Sequence, residues 1–351
     1  MSGAVFHGSV SEQERAALAA RGIVVTDLSA SLNPYGPLDV VVQAAAQAVV
    51  ARYPEADAWA VRAAYAERSG LPVAFVLTGN GSSELIYLAL RAFSGPDASC
   101  LVIGPTFGEY AAAARAAGAR VVEWRVPDAL LAPSVDALRT AIENVRPAVV
   151  CVCNPNNPTG LLFTRAEVEL LTAAARAAGA LLLLDEAYGE FTWPADERVL
   201  PAPGRLVLRT LTTLHTVPGL RIGFLLGEGG DIARVAALQP PWAVSAPACA
   251  AALAALREEA WEDECRQRIA ATREALIADL HAAGVRLGPS RANALLLYVG
   301  DGAAFRARLL EAGFAVRDCA SFGLPEYVRI AVPREEQCAA LIAGVRAAFR
   351  S

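Results

Sequence analysis

From about Phe75 onward, short runs of apolar and β-branched residues alternate with Ala-rich helical segments, which is the sequence form of a parallel α/β sheet. The runs are FVL at Phe75, CLVIG at Cys100, RVVEW at Arg120, AVVCVC at Ala148, ALLLLD at Ala180, RLVLRT at Arg205 and RIGFLL at Arg221. Strands so uniformly apolar are expected to carry helices on both faces. After PPW (Pro240 to Trp242) the pattern is helical through about Ala283. It then gives ALLLYV at Ala294, FAVRD at Phe314 and YVRIAV at Tyr327, which predict a smaller α+β domain. The first forty or so residues offer no β/α unit, and LNPYGP at Leu32 reads as an extended arm or turn. The expected organisation is an arm over residues 1–42 joining the small domain, a large domain over 43–240 and a small domain over 241–351.

Composition narrows the partners. With 55% hydrophobic and 19% charged residues in 351, the chain can bury a large core and is not disordered. Basic and acidic residues number 31 and 36, for a formal charge of -5, and no long run of either sign occurs, which argues against nucleic acid as a partner. All the basic residues are arginine: the chain contains no lysine, so no side-chain amine exists to form a Schiff base. The seven cysteines sit mostly in apolar stretches without metal-ligand spacing, and read as buried thiols of a reducing cytoplasm, with no metal site. Neither a secretory leader nor an apolar run of membrane-spanning length is visible.

Ligand groups collect at the carboxyl ends of strands in open α/β sheets, and four such ends are polar here. TGNGSSE (Thr78 to Glu84) follows a strand and opens a helix, so its glycines and the amides near Ser82 and Ser83 suit an anion; the same residues also suit an ordinary capped glycine turn. CNPNNPTG (Cys153 to Gly160) holds Asn154 and Asn157 in a proline-stiffened loop, where an amide can donate to a ligand oxygen or simply close the turn. Asp185 ends a run of four leucines, which places a carboxylate on an apolar floor where its charge needs a cationic or hydrogen-bonding partner; a structural or capping role is the alternative. RTLTTLHTVPGLR (Arg209 to Arg221) is the fourth.

The succession of NPNNPTG, DEAY and TxTTxxxxPGLRIG resembles the fold-type I pyridoxal-phosphate enzymes, over nearly the whole chain. Within them HGS at His7, RYPEAD at Arg52, GNGSSELIY at Gly79, PTFGEY at Pro105, PPWAVSAPA at Pro240 and VRDCASFGL at Val316 resemble the threonine-phosphate decarboxylase branch of cobalamin biosynthesis, with histidinol-phosphate aminotransferase as near relative. The resemblance implies an α/β fold with a large domain built on a mostly parallel seven-stranded sheet, plus a smaller α+β domain. It also implies pyridoxal 5'-phosphate as cofactor, a homodimer, and a small anionic, phosphorylated amino-acid substrate that is decarboxylated, with transamination of the histidinol-phosphate type as the alternative. Residue by residue, Asp185 would pair with the ring nitrogen, Asn157 and Tyr188 with the phenolic oxygen, and Phe107 with the ring face. Ser82, Ser83, Thr210, Thr212 and Arg221 would hold the phosphate, joined by Tyr53 of the neighbouring subunit. Arg329 would grip the substrate carboxylate or its surrogate, Asn157 would also face the substrate, and Arg317 and His7 would receive a second anion.

One position departs from the family pattern. Eight residues before Arg221, where the family carries its Schiff-base lysine, stands Thr213. Threonine supplies neither the covalent link nor the general acid/base group that moves the substrate proton, a role worth roughly 10²–10⁴ in rate. The cofactor is therefore expected to bind non-covalently, with turnover impaired. Three explanations stand side by side: a substitution in an otherwise ordinary enzyme, a lineage retained as a silent ligand-binding protein, and altered chemistry in which His215 reaches inward. The last requires an extended segment, in which positions 213 and 215 share a side; packing is the competing role for His215.

Overall fold

In a computed structural model, the chain is described over residues 10–192 and 198–350. The seven apolar runs become β2 (Val76–Gly79), β3 (Ser99–Gly104), β4 (Arg120–Arg125), β5 (Val149–Cys153), β6 (Leu181–Asp185), β7 (Arg205–Thr210) and β8 (Gly223–Leu226), following a short β1 (Thr26–Asp27) in the arm. They form one seven-stranded sheet in the order β2-β8-β7-β6-β5-β3-β4. Neighbours from β7 through β4 pair parallel, whereas β8 runs antiparallel to both β2 and β7. The exception has a simple origin: β7 and β8 are joined by a compact turn with no crossover helix, and a parallel return needs a crossover.

Alternation along the strands divides the core in two. Val150, Val152, Leu182 and Leu184 belong to one apolar cluster, while Val149, Cys151, Leu181 and Leu183 belong to the other, so helices cover both faces as the uniform apolarity requires. The first cluster also takes in helix Ala246–Ala255, which packs on helices Asp39–Ala46 and Trp59–Ser69. Local signals agree with this packing. Helix Arg165–Ala177 opens on a capping box in which Thr164 Oγ1 accepts from Glu167 N while the Glu167 carboxylate accepts from Thr164 N.

A second sheet contains β9 (Arg286–Leu287), β10 (Ala294–Tyr298), β12 (Arg317–Asp318) and β13 (Tyr327–Ala331), in the order β12-β13-β10-β9 and antiparallel throughout. The run FAVRD splits: β11 (Phe314–Ala315) pairs parallel with β1 of the arm, whereas β12 pairs with β13. The 24-residue helix Glu259–Ala282 reaches from the charged rear of the large sheet to this smaller body. No helix among the described residues is long and apolar enough to cross a membrane.

Candidate active site

Strands β5, β6 and β7 end at Cys153, Asp185 and Thr210, and these ends open on a cavity of about 340 Å³. Every large-domain residue expected to touch the cofactor within one subunit is among its walls: Ser82, Ser83, Phe107, Asn157, Tyr188, Thr212 and Arg221 join Asp185 and Thr210, and Thr213 lines it too. Asp185 forms the floor and is 2% exposed. Its carboxylate accepts from Tyr110 Oη at 2.7 Å and from Ala187 N at 2.8 Å, and no cation touches it among the described residues. Burial pushes this carboxyl above the ordinary range, and the two hydrogen bonds offset only part of the shift.

At another wall, helix Gly81–Phe93 begins immediately after β2, with Ser82 and Ser83 in its first turn, where unpaired amides and the helix dipole favour an anion. Gly81 is favoured there by its backbone conformation, and a side chain at this position would also displace the Arg221 guanidinium. Its φ is +78°, and a Cβ would lie 2.5 Å from Arg221 Nη2. Arg221 itself holds a left-handed φ of +59° and donates from Nη1 to Pro218 O at 3.0 Å. The hydroxyls of Thr210 and Thr212 both donate to Ile222 O, at 2.8 and 3.3 Å. They therefore close the turn that presents Arg221, in addition to lining the cavity.

A larger cavity of about 490 Å³ adjoins the first, and Phe107, Asn157, Tyr188, Thr212 and Thr213 line both. Here the two sheets meet. Arg329 of β13 and Arg317 of β12 face each other across their strand pair and line the cavity. Arg329 donates to Asn157 Oδ1 and, at 2.6 Å, to Ser29 O, while Arg317 donates to Ser321 Oγ at 2.7 Å. Burial pushes the Tyr188 phenol up, so it stays a neutral donor at ordinary pH.

Thr213 stands at the seam of the two cavities. It is buried, its Oγ1 donates to Ala187 O at 2.8 Å, and its carbonyl accepts from Asn33 N at 3.0 Å. The hydroxyl hydrogen is thus already committed to the backbone.

Several expected residues lie elsewhere. The segment carrying His215 is a helical turn, with His215 N donating to Leu211 O at 3.0 Å and Val217 N to Thr212 O at 3.1 Å. Residues two apart on such a turn diverge by about 200°, so His215 does not share the side of Thr213 and the inward-reaching role is corrected to a rear anchor. It is fully buried, 2.9 Å from Glu262 Oε1 through Nε2 and 5.4 Å from the Trp261 ring. Asn154 is likewise structural, since its amide is paired both ways with the Phe163 backbone at 2.7 and 3.0 Å. Tyr53 does not reach the cofactor cavity of its own chain; it is 79% exposed and its ring lies tilted against Trp242, with centroids 4.8 Å apart. His7 lies outside the described residues. Conversely, Tyr110 was not singled out from the sequence, although its place one helical turn after Phe107 in PTFGEY is the signal that would have found it.

Against known proteins, the chain matches the family model "Aminotransferase class I and II" over residues 23–345. It is 35% identical over 347 residues to histidinol-phosphate aminotransferase of Sphingopyxis alaskensis, covering 94% of this chain and 92% of that protein. Among solved structures, histidinol-phosphate aminotransferase of Sinorhizobium meliloti in complex with pyridoxal-5'-phosphate superposes with a TM-score of 0.84 at 22% identity, over 97% of this chain and 95% of that one, a likeness of fold. L-threonine-O-3-phosphate decarboxylase of Porphyromonas gingivalis superposes with a TM-score of 0.81 at 26% identity, over 93% of this chain and all of the other.

Proposed function

The chain belongs to the class I and II aminotransferase family, and from that premise we propose that it binds pyridoxal 5'-phosphate reversibly over Asp185 and takes a phosphorylated amine of the histidinol-phosphate kind in the adjoining cavity. The observation that carries the reading is Asp185: a buried carboxylate with two hydrogen bonds and, among the described residues, no cation is short of one partner, and a protonated ring nitrogen is that partner. The donor set around it fits the rest of the group. The first turn of helix Gly81–Phe93 and Arg221 suit its phosphate, Phe107 suits a ring face, and Asn157 Nδ2 and the Tyr188 hydroxyl suit its phenolic oxygen.

When bound, the cofactor supplies an electron sink for charge developing on the substrate carbon that bears the amine. Asp185 keeps the ring nitrogen protonated, which the sink requires. Arg329, oriented by Asn157 and Ser29, holds the substrate anion, and Arg317 adds a second positive group beside it. Thr213, its hydroxyl donating to Ala187 O, offers no amine for a covalent link and no base for the substrate proton. Turnover is accordingly lowered by at least the roughly 10²–10⁴ of general acid/base catalysis.

Assembly as a homodimer accompanies this reading. Tyr53, Trp242, Val49, Val50 and Trp59 are all exposed large apolar residues, and a symmetric partner that covered them would bring a tyrosine to the facing site. The histidinol-phosphate reading is preferred because relatives of that name reach 35% identity over nearly the whole chain. The decarboxylase reading, which the sequence motifs put first, moves to second and keeps the 26% likeness to the P. gingivalis enzyme as its support. The Thr213→Lys variant separates them: consumption of a 2-oxo acid with histidinol phosphate supports the aminotransferase, whereas carbon dioxide release from threonine phosphate without any 2-oxo acid overturns it.

A further inference from the structure

The outer part of the larger cavity contains a cation that neither the family pattern nor the roles above use. Helix Glu109–Ala116 starts just past Phe107, and Gly108, Ala111 and Arg115 lie on one of its faces, at spacings of three and four, lining the cavity in sequence. Gly108 and Ala111 project almost nothing, so this wall stays open from Phe107 outward until Arg115. At about 1.5 Å per residue, Arg115 sits roughly 10 Å along the helix from Gly108, well away from the ring end.

The other guanidinium groups of the cavity are engaged. Arg125 donates to Glu123 Oε1 at 2.7 Å and to Phe322 O at 2.6 Å, and Arg317 and Arg329 have the partners given above. Arg115 is exposed and, among the described residues, its side chain makes no hydrogen bond or ion pair. Four arginines against the single carboxylate of Glu123 leave the cavity strongly positive, with the unpartnered charge at its outer end.

We propose that Arg115 is a specificity-determining residue that receives a ligand anion lying beyond the reach of Arg329, so that the cavity distinguishes amino acids carrying a second, distal anionic group from those without one. The inference rests on the reading of this cavity as the substrate side. Because Arg115 is exposed, its effect is moderate and declines as salt rises.

The test compares L-threonine O-phosphate with L-threonine by calorimetric titration of the full chain, as wild type, Arg115→Gln and, as a control of equal charge change on a distant surface helix, Arg139→Gln. The Arg115 variant is expected to bind the phosphorylated ligand about three- to tenfold more weakly, to bind L-threonine as the wild type does, and to lose this difference at high salt. Arg139→Gln should change neither. Equal losses for both ligands, no loss for either, or the same loss in Arg139→Gln would overturn the assignment. Absorbance titration of each variant with pyridoxal phosphate reports separately on the cofactor reading: failure there leaves the two-ligand comparison intact, and normal cofactor binding in Arg115→Gln shows that the site is undisturbed.

Discussion

The turn that follows β7 separates two regions that treat buried charge in opposite ways. In front of it, Asp185 is buried with hydrogen bonds but, among the described residues, no cation, and its carboxyl is pushed up by burial. Behind it, Glu262 is as deeply buried, yet His215, Arg68 and Arg266 all reach its carboxylate. Burial alone would raise Glu262, and the bonds from His215 and Arg68 outweigh it, so the net shift is downward. Glu190 next to it is brought down to about 2, with Arg198, Arg266 and Arg209 overcoming the burial cost. A carboxylate whose partners are complete serves the fold; one left short of a cation is a place for something else to bind.

The sharpest way to change the front region is to return the missing amine. Thr213→Lys is expected to give a visible absorption band with pyridoxal phosphate, a borohydride-trapped cofactor, and turnover raised by about 10²–10⁴ or more as acid/base and covalent contributions return together. Normal folding without either signal would place the defect elsewhere in the site.

The rear region should respond in stability alone. Glu262→Ala strips His215, Arg68 and Arg266 of a shared buried partner, and such a loss typically costs about 3–5 kcal/mol. Chemical denaturation should register it, while cofactor affinity measured on the folded variant stays within about threefold of wild type. The converse pattern belongs to Asp185→Asn. Cofactor affinity should fall about tenfold or more, equivalent to roughly 1.4 kcal/mol, with stability unchanged or slightly higher because an uncompensated buried charge is gone.

Acid should separate the two regions in sequence. The depressed carboxyls of Glu190 and Glu262 contribute stability that is present above the unfolded value of about 4.3 and is lost as pH falls through their lowered folded values, which for Glu190 is about 2. Asp185, shifted the other way, takes up its proton at higher pH and then has no negative charge for a ring nitrogen. Cofactor should therefore leave before the chain unfolds, a sequence that absorbance and circular dichroism followed over one pH series would establish or refute.

How much of this was readable in the residues depends on the range of the interaction that decides it. The seven strands of the large sheet were visible because each carries a short apolar run, and Asp185, Asn157 and Arg221 because they respectively close, follow and open such a run. The reversed direction of β8 was not, since it depends on the turn after Thr210 being compact. The same turn decides between the two roles held open for His215: read as extended it points inward, whereas the bond from His215 N to Leu211 O makes the segment helical and leaves the packing role. The rear network joins residues from Arg68 to Arg266, and no local pattern announces a contact over that separation. Arg115 escaped notice for a different reason, since an arginine in an alanine-rich helix looks like any solvated charge until the cavity beside it is seen.

The central claim is that this site holds pyridoxal phosphate through Asp185 without a covalent bond. Equilibrium titration of wild type and Asp185→Asn with the cofactor, followed by borohydride treatment and intact-mass measurement, tests it most directly. The expected result is saturable binding by wild type, reversed on dialysis, at least tenfold weaker in Asp185→Asn, with no cofactor retained after reduction. Absence of saturable binding, equal affinity in the two proteins, or a stoichiometric covalent adduct inside the wild-type site would contradict it.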